Sequence, residues 1–244
     1  LNLVSQVKIE EITSVPTPTP TPASPAEPAT TSSDVGGEGV APSPAPSPQP
    51  TPSPQPVPIY AKILISEVQV EGETAKDEFV ELYNPTNQTV DLAGWSLKRK
   101  TSTGSDANLV SSLAFSGTIG ASGYFLIVPQ QNNDGTPNYK RSATPDLFYS
   151  GKTYSIAQDN TVFLYNPNGE ISDKVGFGTA KDFDGALAFN PPGSLSLSRK
   201  FLVNEGYQST GNNLQDFQVV IPTPRALNPG PVVLAGGLSV ATPP

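Results

Sequence analysis

The chain has 244 residues, a formal charge of −8 and no His, Cys or Met. Lacking imidazole and thiol, it is excluded from Ser/His and Cys/His nucleophilic catalysis and from the usual zinc sites, which leaves carboxylate chemistry and hard-cation binding. Its 22 acidic residues against 14 basic ones repel phosphate backbones and anionic membranes, so nucleic acid is not an expected partner.

The first segment, residues 1–15, is β-prone: Val7-Lys-Ile-Glu-Glu-Ile-Thr13 reads as one short strand without a partner and echoes Lys62-Ile-Leu-Ile-Ser-Glu-Val68. Two readings stay open for it, a chance repetition of a common β-type run or a free strand able to complete another chain's sheet and so build a homo-oligomer. Opening on Leu1 and ending in Ala-Thr-Pro-Pro, the chain reads as a fragment or processed product, so any membrane attachment is expected from flanking sequence.

Residues 16–58 carry fifteen of the 28 prolines and only Glu27, Asp34 and Glu38 as charges. Such a segment has too little apolar surface to offset chain entropy, and alternating proline favours extended polyproline II. At about 3.1 Å per residue it spans roughly 130 Å, with a hinge expected at Val35-Gly-Gly-Glu-Gly39. It reads as a stalk, either bare or bearing O-linked sugar.

From residue 59 to 229 turn signals recur every eight to fifteen residues, among them Asn84-Pro85, Gly94, Ser116-Gly117 and Asn166-Pro-Asn-Gly169. Between them lie β-rich runs at 63–70, 78–83, 95–100, 113–119, 124–128, 161–165, 171–177, 195–201 and 217–221. This pattern predicts an all-β sandwich of roughly seven to nine strands. The clearest hairpin is at Asn166-Pro-Asn-Gly169, where Asn168 and Gly169 tolerate positive φ. Residues 230–244 form a C-terminal tail.

Ile63-Leu-Ile-Ser-Glu-Val68, Asp77-Glu-Phe-Val-Glu-Leu-Tyr-Asn84 and Val90-Asp-Leu-Ala-Gly-Trp-Ser-Leu97, in this order and spacing, resemble the opening strands of the lamin-tail domain. That module has an immunoglobulin-like β-sandwich fold and occurs at the C-terminus of nuclear lamins and in many bacterial and archaeal extracytoplasmic proteins. The resemblance continues through Gly120-Ala-Ser-Gly-Tyr-Phe-Leu-Ile-Val128, residues 162–173, Ser196-Leu-Ser-Arg199, Asp216-Phe217 and Thr223-Pro-Arg-Ala-Leu-Asn228, with the extra length falling in the loop 129–151. It implies an immunoglobulin-like sandwich without catalysis or cofactor. A proline-rich segment in place of a heptad rod means that no nuclear filament role is carried over.

The residues fixed by these motifs are Glu67, Glu78, Glu81, Asn84, Asp91, Gly94 and Trp95. Trp95, the single tryptophan, is expected in the core with Leu97; the alternative is an exposed ring for sugar stacking. Glu81 shares a strand face with Phe79 and Tyr83, so its carboxylate needs partners, expected to be loop backbone amides or Arg199. Two oxygen-rich loops, at Asp134 and at Asp182 and Asp184, are weak candidates for a cation; neither has the full calcium-loop spacing, and solvated loops are the preferred reading. Lys98 and Lys100 are expected on a solvent face. Tyr139, Phe148, Tyr149 and Tyr154 cluster near the long loop, either as a binding surface or as packing for the loop.

The function expected from all this is a non-catalytic, extracytoplasmic binding or presentation module on a stalk, secreted or at the cell surface, with a protein or cell-wall partner. The alternatives are a fibre subunit joined through residues 7–13 and an accessory domain of a secreted hydrolase.

Overall fold

A computed structural model describes residues 57–150 and 155–231. The readings made for residues 1–56, for Tyr154 and for most of the tail lie outside the described residues.

Two antiparallel-rich sheets stack on one core. The larger has six strands, ordered β14 (Phe217–Val220), β11 (Ser196–Arg199), β1 (Leu64–Gln69), β2 (Phe79–Tyr83), β7 (Tyr124–Pro129) and β8 (Leu147–Tyr149). The smaller runs β10 (Ile171–Gly176), β9 (Thr161–Tyr165), β4 (Ser96–Lys100) and β5 (Asp106–Val110). Two short ribbons, β3 (Val90–Asp91) with β6 (Thr118–Ile119) and β12 (Phe201–Leu202) with β13 (Gly206–Tyr207), and one helical turn, α1 (Asn213–Asp216), fill the connections. Among the described residues these strands all pair antiparallel except β7 with β8, and one isolated parallel bridge joins Phe177 to Ala188.

Period-2 alternation explains the core. Ile65, Val68, Val80, Leu82 and Ile127 from the large sheet meet Leu97, Val162, Leu164 and Val175 from the small one, with Trp95 fully buried between them. This is the β-sandwich that the sequence predicts. The Asn166 turn also forms, with Gly169 at φ +79° and its amide bonded to the Asn166 carbonyl at 2.9 Å.

Three details differ. Residues 113–119 are not one strand: Leu113 is 99% exposed in a turn that follows Ser111, and only Thr118–Ile119 pairs. Asp106–Val110 does pair, although Asp106 and Asn108 weaken its β signal, because β4 offers it a ladder. The long connection after β7 returns as the parallel edge strand β8, which no periodicity in three residues could announce.

The large sheet is covered on both faces. Its outer face carries Glu67, Gln69, Phe79, Glu81, Leu126 and Val128, all buried. Two irregular segments lie over it, the long loop 130–146 and a strap, residues 221–229. Tyr139 sets its ring edge-on to Phe79 with centroids 6.1 Å apart, and with Leu126 and Val128 forms a second apolar cluster.

Candidate functional site

The outer face of β1 and β2 carries two buried carboxylates side by side. Glu67 and Glu81 are register partners on the two strands, and both are fully buried. Glu67 accepts from the hydroxyls of Ser196 and Ser198 and from the Thr223 amide at 3.0 Å. Glu81 accepts from the Ser66 hydroxyl at 3.0 Å and from the Arg225 amide. Loop amides and hydroxyls therefore answer these carboxylates. Arg199 does not: it pairs with Asp173 at 2.6 Å, because its side chain crosses to the small sheet.

Burial is the largest influence on both carboxyls. It raises Glu67 against the pull of its hydrogen bonds, and it pushes Glu81 to about 8, helped by the neighbouring Glu67 charge. Glu78, immediately before β2, is likewise pushed to about 8 by burial, opposed by the Tyr149 hydroxyl and by the Ile156 amide, which donates to it at 2.7 Å.

Arg225 joins this polar layer to the long loop. Its amide binds Glu81, its Nε donates to the Thr144 carbonyl at 2.7 Å, and its guanidinium pairs with Asp146, which also accepts from the Leu126 amide at 2.7 Å. Arg225 adopts φ +62°, a left-handed conformation that costs a non-glycine residue about 1–2 kcal/mol and persists only when neighbours hold it. Further along, Asp77 accepts from the Lys140 amide at 2.9 Å, and Gln69 accepts from Arg141 at 2.6 and 2.9 Å. The loop is thus fastened to the sheet at several points by side chains of β1, of the β1–β2 connection and of the strap.

The remaining motif residues organise turns. Asn84 donates to the carbonyls of Gln88, Ile119 and Gly120 and accepts from Thr86, so it ties the β2 exit to the β6 exit. Asp91 caps the next turn through the Ala93 amide at 2.9 Å, and Gly94 supplies φ +81° before Trp95. Trp95 has no exposed face, and its ring meets Tyr60 edge-on with centroids 6.3 Å apart, so it offers no surface for sugar stacking.

The two oxygen-rich loops are occupied by protein groups. Asp134 accepts from the amide and hydroxyl of Thr136 at 3.0 and 2.6 Å. Asp182 and Asp184 face Lys174 at 2.9 and 2.8 Å, and Lys100 stands 3.5 Å from Asp182. Lys98 shares the face of Lys100, its ammonium 4.8 Å from the Tyr165 ring centre.

Of the aromatic cluster, Tyr139 and Tyr149 are buried and pack the loop, whereas Phe148 on edge strand β8 is 48% exposed. Hollows adjoin around it. One of about 310 Å³ is walled by Pro129, Pro137, Pro145 and Phe148, a second of about 400 Å³ shares Gln131 and Phe148 with it, and a third of about 370 Å³ extends past Phe148 to Leu109 and Ala114 beside β5. Sequence reasoning placed Ser66 and Thr223-Pro-Arg-Ala-Leu-Asn228 in matching strings but gave Ser66, Thr223, Arg225 and Asn228 no role. The alternation of Ser196 and Ser198 on one strand face was the readable sign that a polar partner sits across from them.

No curated protein matches the chain. The Lamin Tail Domain family model matches residues 56–179, slightly more than half of the chain. Strands β11 and β14 lie beyond that stretch and complete the six-stranded sheet beside β1. With the motif carboxylates, the Asn84 hub and the Gly94-Trp95 turn all built into the matched sandwich, the chain belongs to the lamin tail domain family.

Proposed function

We propose that the chain is a non-catalytic binding or presentation module that works outside the cytoplasm, its sandwich carried on the proline-rich segment as a tether. The family supplies the coarse frame, a β-sandwich domain that often serves protein interaction. Within that frame, one observation carries the reading: Phe148 stands half-exposed on an edge strand where three hollows adjoin. Edge strands and exposed aromatic anchors are where protein surfaces recruit partners. The buried carboxylates support the same reading from the other side. Glu67 and Glu81 spend their oxygens on strap amides and serine hydroxyls beneath that strap, a structural use rather than an acid–base pair facing a substrate.

The test is binding of the labelled full chain to the surface of the cells that make it. Saturable binding that Phe148→Ser weakens by tenfold or more, together with loss of the native protein when intact cells are treated with protease, is the expected result. Equal binding by parent and variant, or protection from protease until the cells are opened, overturns the proposal.

A further inference from the structure

The strap is attached to the sheet by polar bonds more than by packing. Ile221 and Leu227 are exposed, while Thr223 and Arg225 give their amides to Glu67 and Glu81. Asn228 donates to the carbonyls of Ser66 and Arg199 at 2.8 and 3.0 Å. Two carboxylates side by side in adjacent strands cannot both be ionised in a dry layer without strong mutual repulsion. Glu67 takes three donors; Glu81 takes two, and burial together with the neighbouring Glu67 charge pushes its carboxyl up.

The groups facing the pair leave this balance intact. From the long loop come the Arg141 guanidinium, spent on Gln69, and the Tyr139 hydroxyl; from the strap comes Arg225, spent on Asp146. From β7 and β13 come the phenols of Tyr124 and Tyr207, bonded to each other at 2.9 Å and raised above their ordinary range first by burial. None of these groups makes a direct ion pair with Glu81.

We propose that Glu67 and Glu81 form a proton-operated clasp: one proton held by the pair keeps the strap seated on the sheet, and its loss lifts Thr223 and Arg225. Lifting lets water reach both anions, and it relieves the left-handed backbone of Arg225. Because Arg225 also holds Thr144 and Asp146, the long loop slackens with the strap. That this alters the Phe148 surface rests on the binding reading above; the lifting itself does not.

Amide exchange in the full chain, followed residue by residue from pH 6 to pH 9.5, tests the clasp. After correction for the intrinsic rise with pH, protection at Thr223 and Arg225 falls by about tenfold per pH unit above pH 8, while Val162 in the small sheet keeps its protection. Glu81→Gln, which retains an acceptor for the Arg225 amide without a charge, holds protection at both residues level; Glu67→Gln does the same and serves if the first variant fails to fold. Constant protection in the parent, a fall unchanged in either variant, or a fall shared by Val162 overturns the clasp. Surface binding that persists while protection stays constant removes the clasp and leaves the binding module standing.

Discussion

Arg199 and Asp173 tie the two sheets together. Arg199 on β11 of the large sheet meets Asp173 on β10 of the small sheet at 2.6 Å, and the two also bracket one backbone unit: Arg199 donates to the Ile65 carbonyl at 2.9 Å while Asp173 accepts from the Ile65 amide at 2.6 Å. The guanidinium gives a further bond to the Gln208 carbonyl and lies 4.3 Å from the Phe217 ring centre. Every face of this almost fully buried cation therefore has a partner.

Breaking the tie from one side strips a buried charge of its nearest partner: Asp173→Leu leaves Arg199 only Asp216, at 3.5 Å, and Arg199→Met leaves Asp173 without its cation. Arg199→Met is expected to cost about 3–5 kcal/mol in denaturant unfolding, and Asp173→Leu a similar amount. The double variant Asp173→Leu with Arg199→Met is expected to recover part of that loss, because it removes the desolvation cost of both ions while taking from Asp216 and from the Ile65 backbone their partners. If the double variant loses the sum of the two single costs, the pair does not act as one unit.

Stability as a function of pH carries the mark of the raised carboxyls. Glu78 and Glu81 have folded-state values of about 8 against 4.5 for the free side chain. Between those values the native state holds protons that the unfolded chain has released, so stability falls as pH rises. The contribution is complete below about pH 4.5 and is lost as pH passes through 8, on the order of 3–5 kcal/mol for Glu81. The melting temperature should decline from pH 5 to pH 9, with Glu81→Gln giving a flatter curve that lies above the parent at the alkaline end. A melting temperature that climbs across this range contradicts the burial assigned to both groups.

Trp95→Ala is expected to cost about 3–5 kcal/mol, as deletion of a large buried ring does. Trp95→Phe should cost less, because the indole N–H has no hydrogen-bond partner among the described residues and none is lost. Unfolding titrations of the two variants decide this; an alanine variant as stable as the parent would place the ring at the surface.

The fold was legible because its elements are local. Alternation in Ile63-Leu-Ile-Ser-Glu-Val68, the turn residues at Asn84-Pro85 and Gly94, and the Asn166–Gly169 hairpin each announce themselves within a few residues. What stayed hidden depends on pairings far apart in sequence. Arg199 meets Asp173 across 26 positions, Thr223 meets Glu67 across 156 and Arg225 meets Glu81 across 144. Glu81 could be seen to need a partner, but only the folded chain brings the strap amide to it. The Phe148 surface was half-visible: the aromatic cluster stood out, yet the division into buried Tyr149 and exposed Phe148 follows from β8 pairing parallel to β7, and Tyr139 is buried by packing on Phe79.

Residue-specific photocrosslinking at position 148 tests the central claim most directly. With a benzophenone side chain replacing Phe148 in the full chain, irradiation on the cells that make it should give a discrete adduct absent when the same group replaces Phe189, which is 51% exposed elsewhere on the domain. No adduct at position 148, or the same adducts at both positions, would contradict the account of this face as the binding surface.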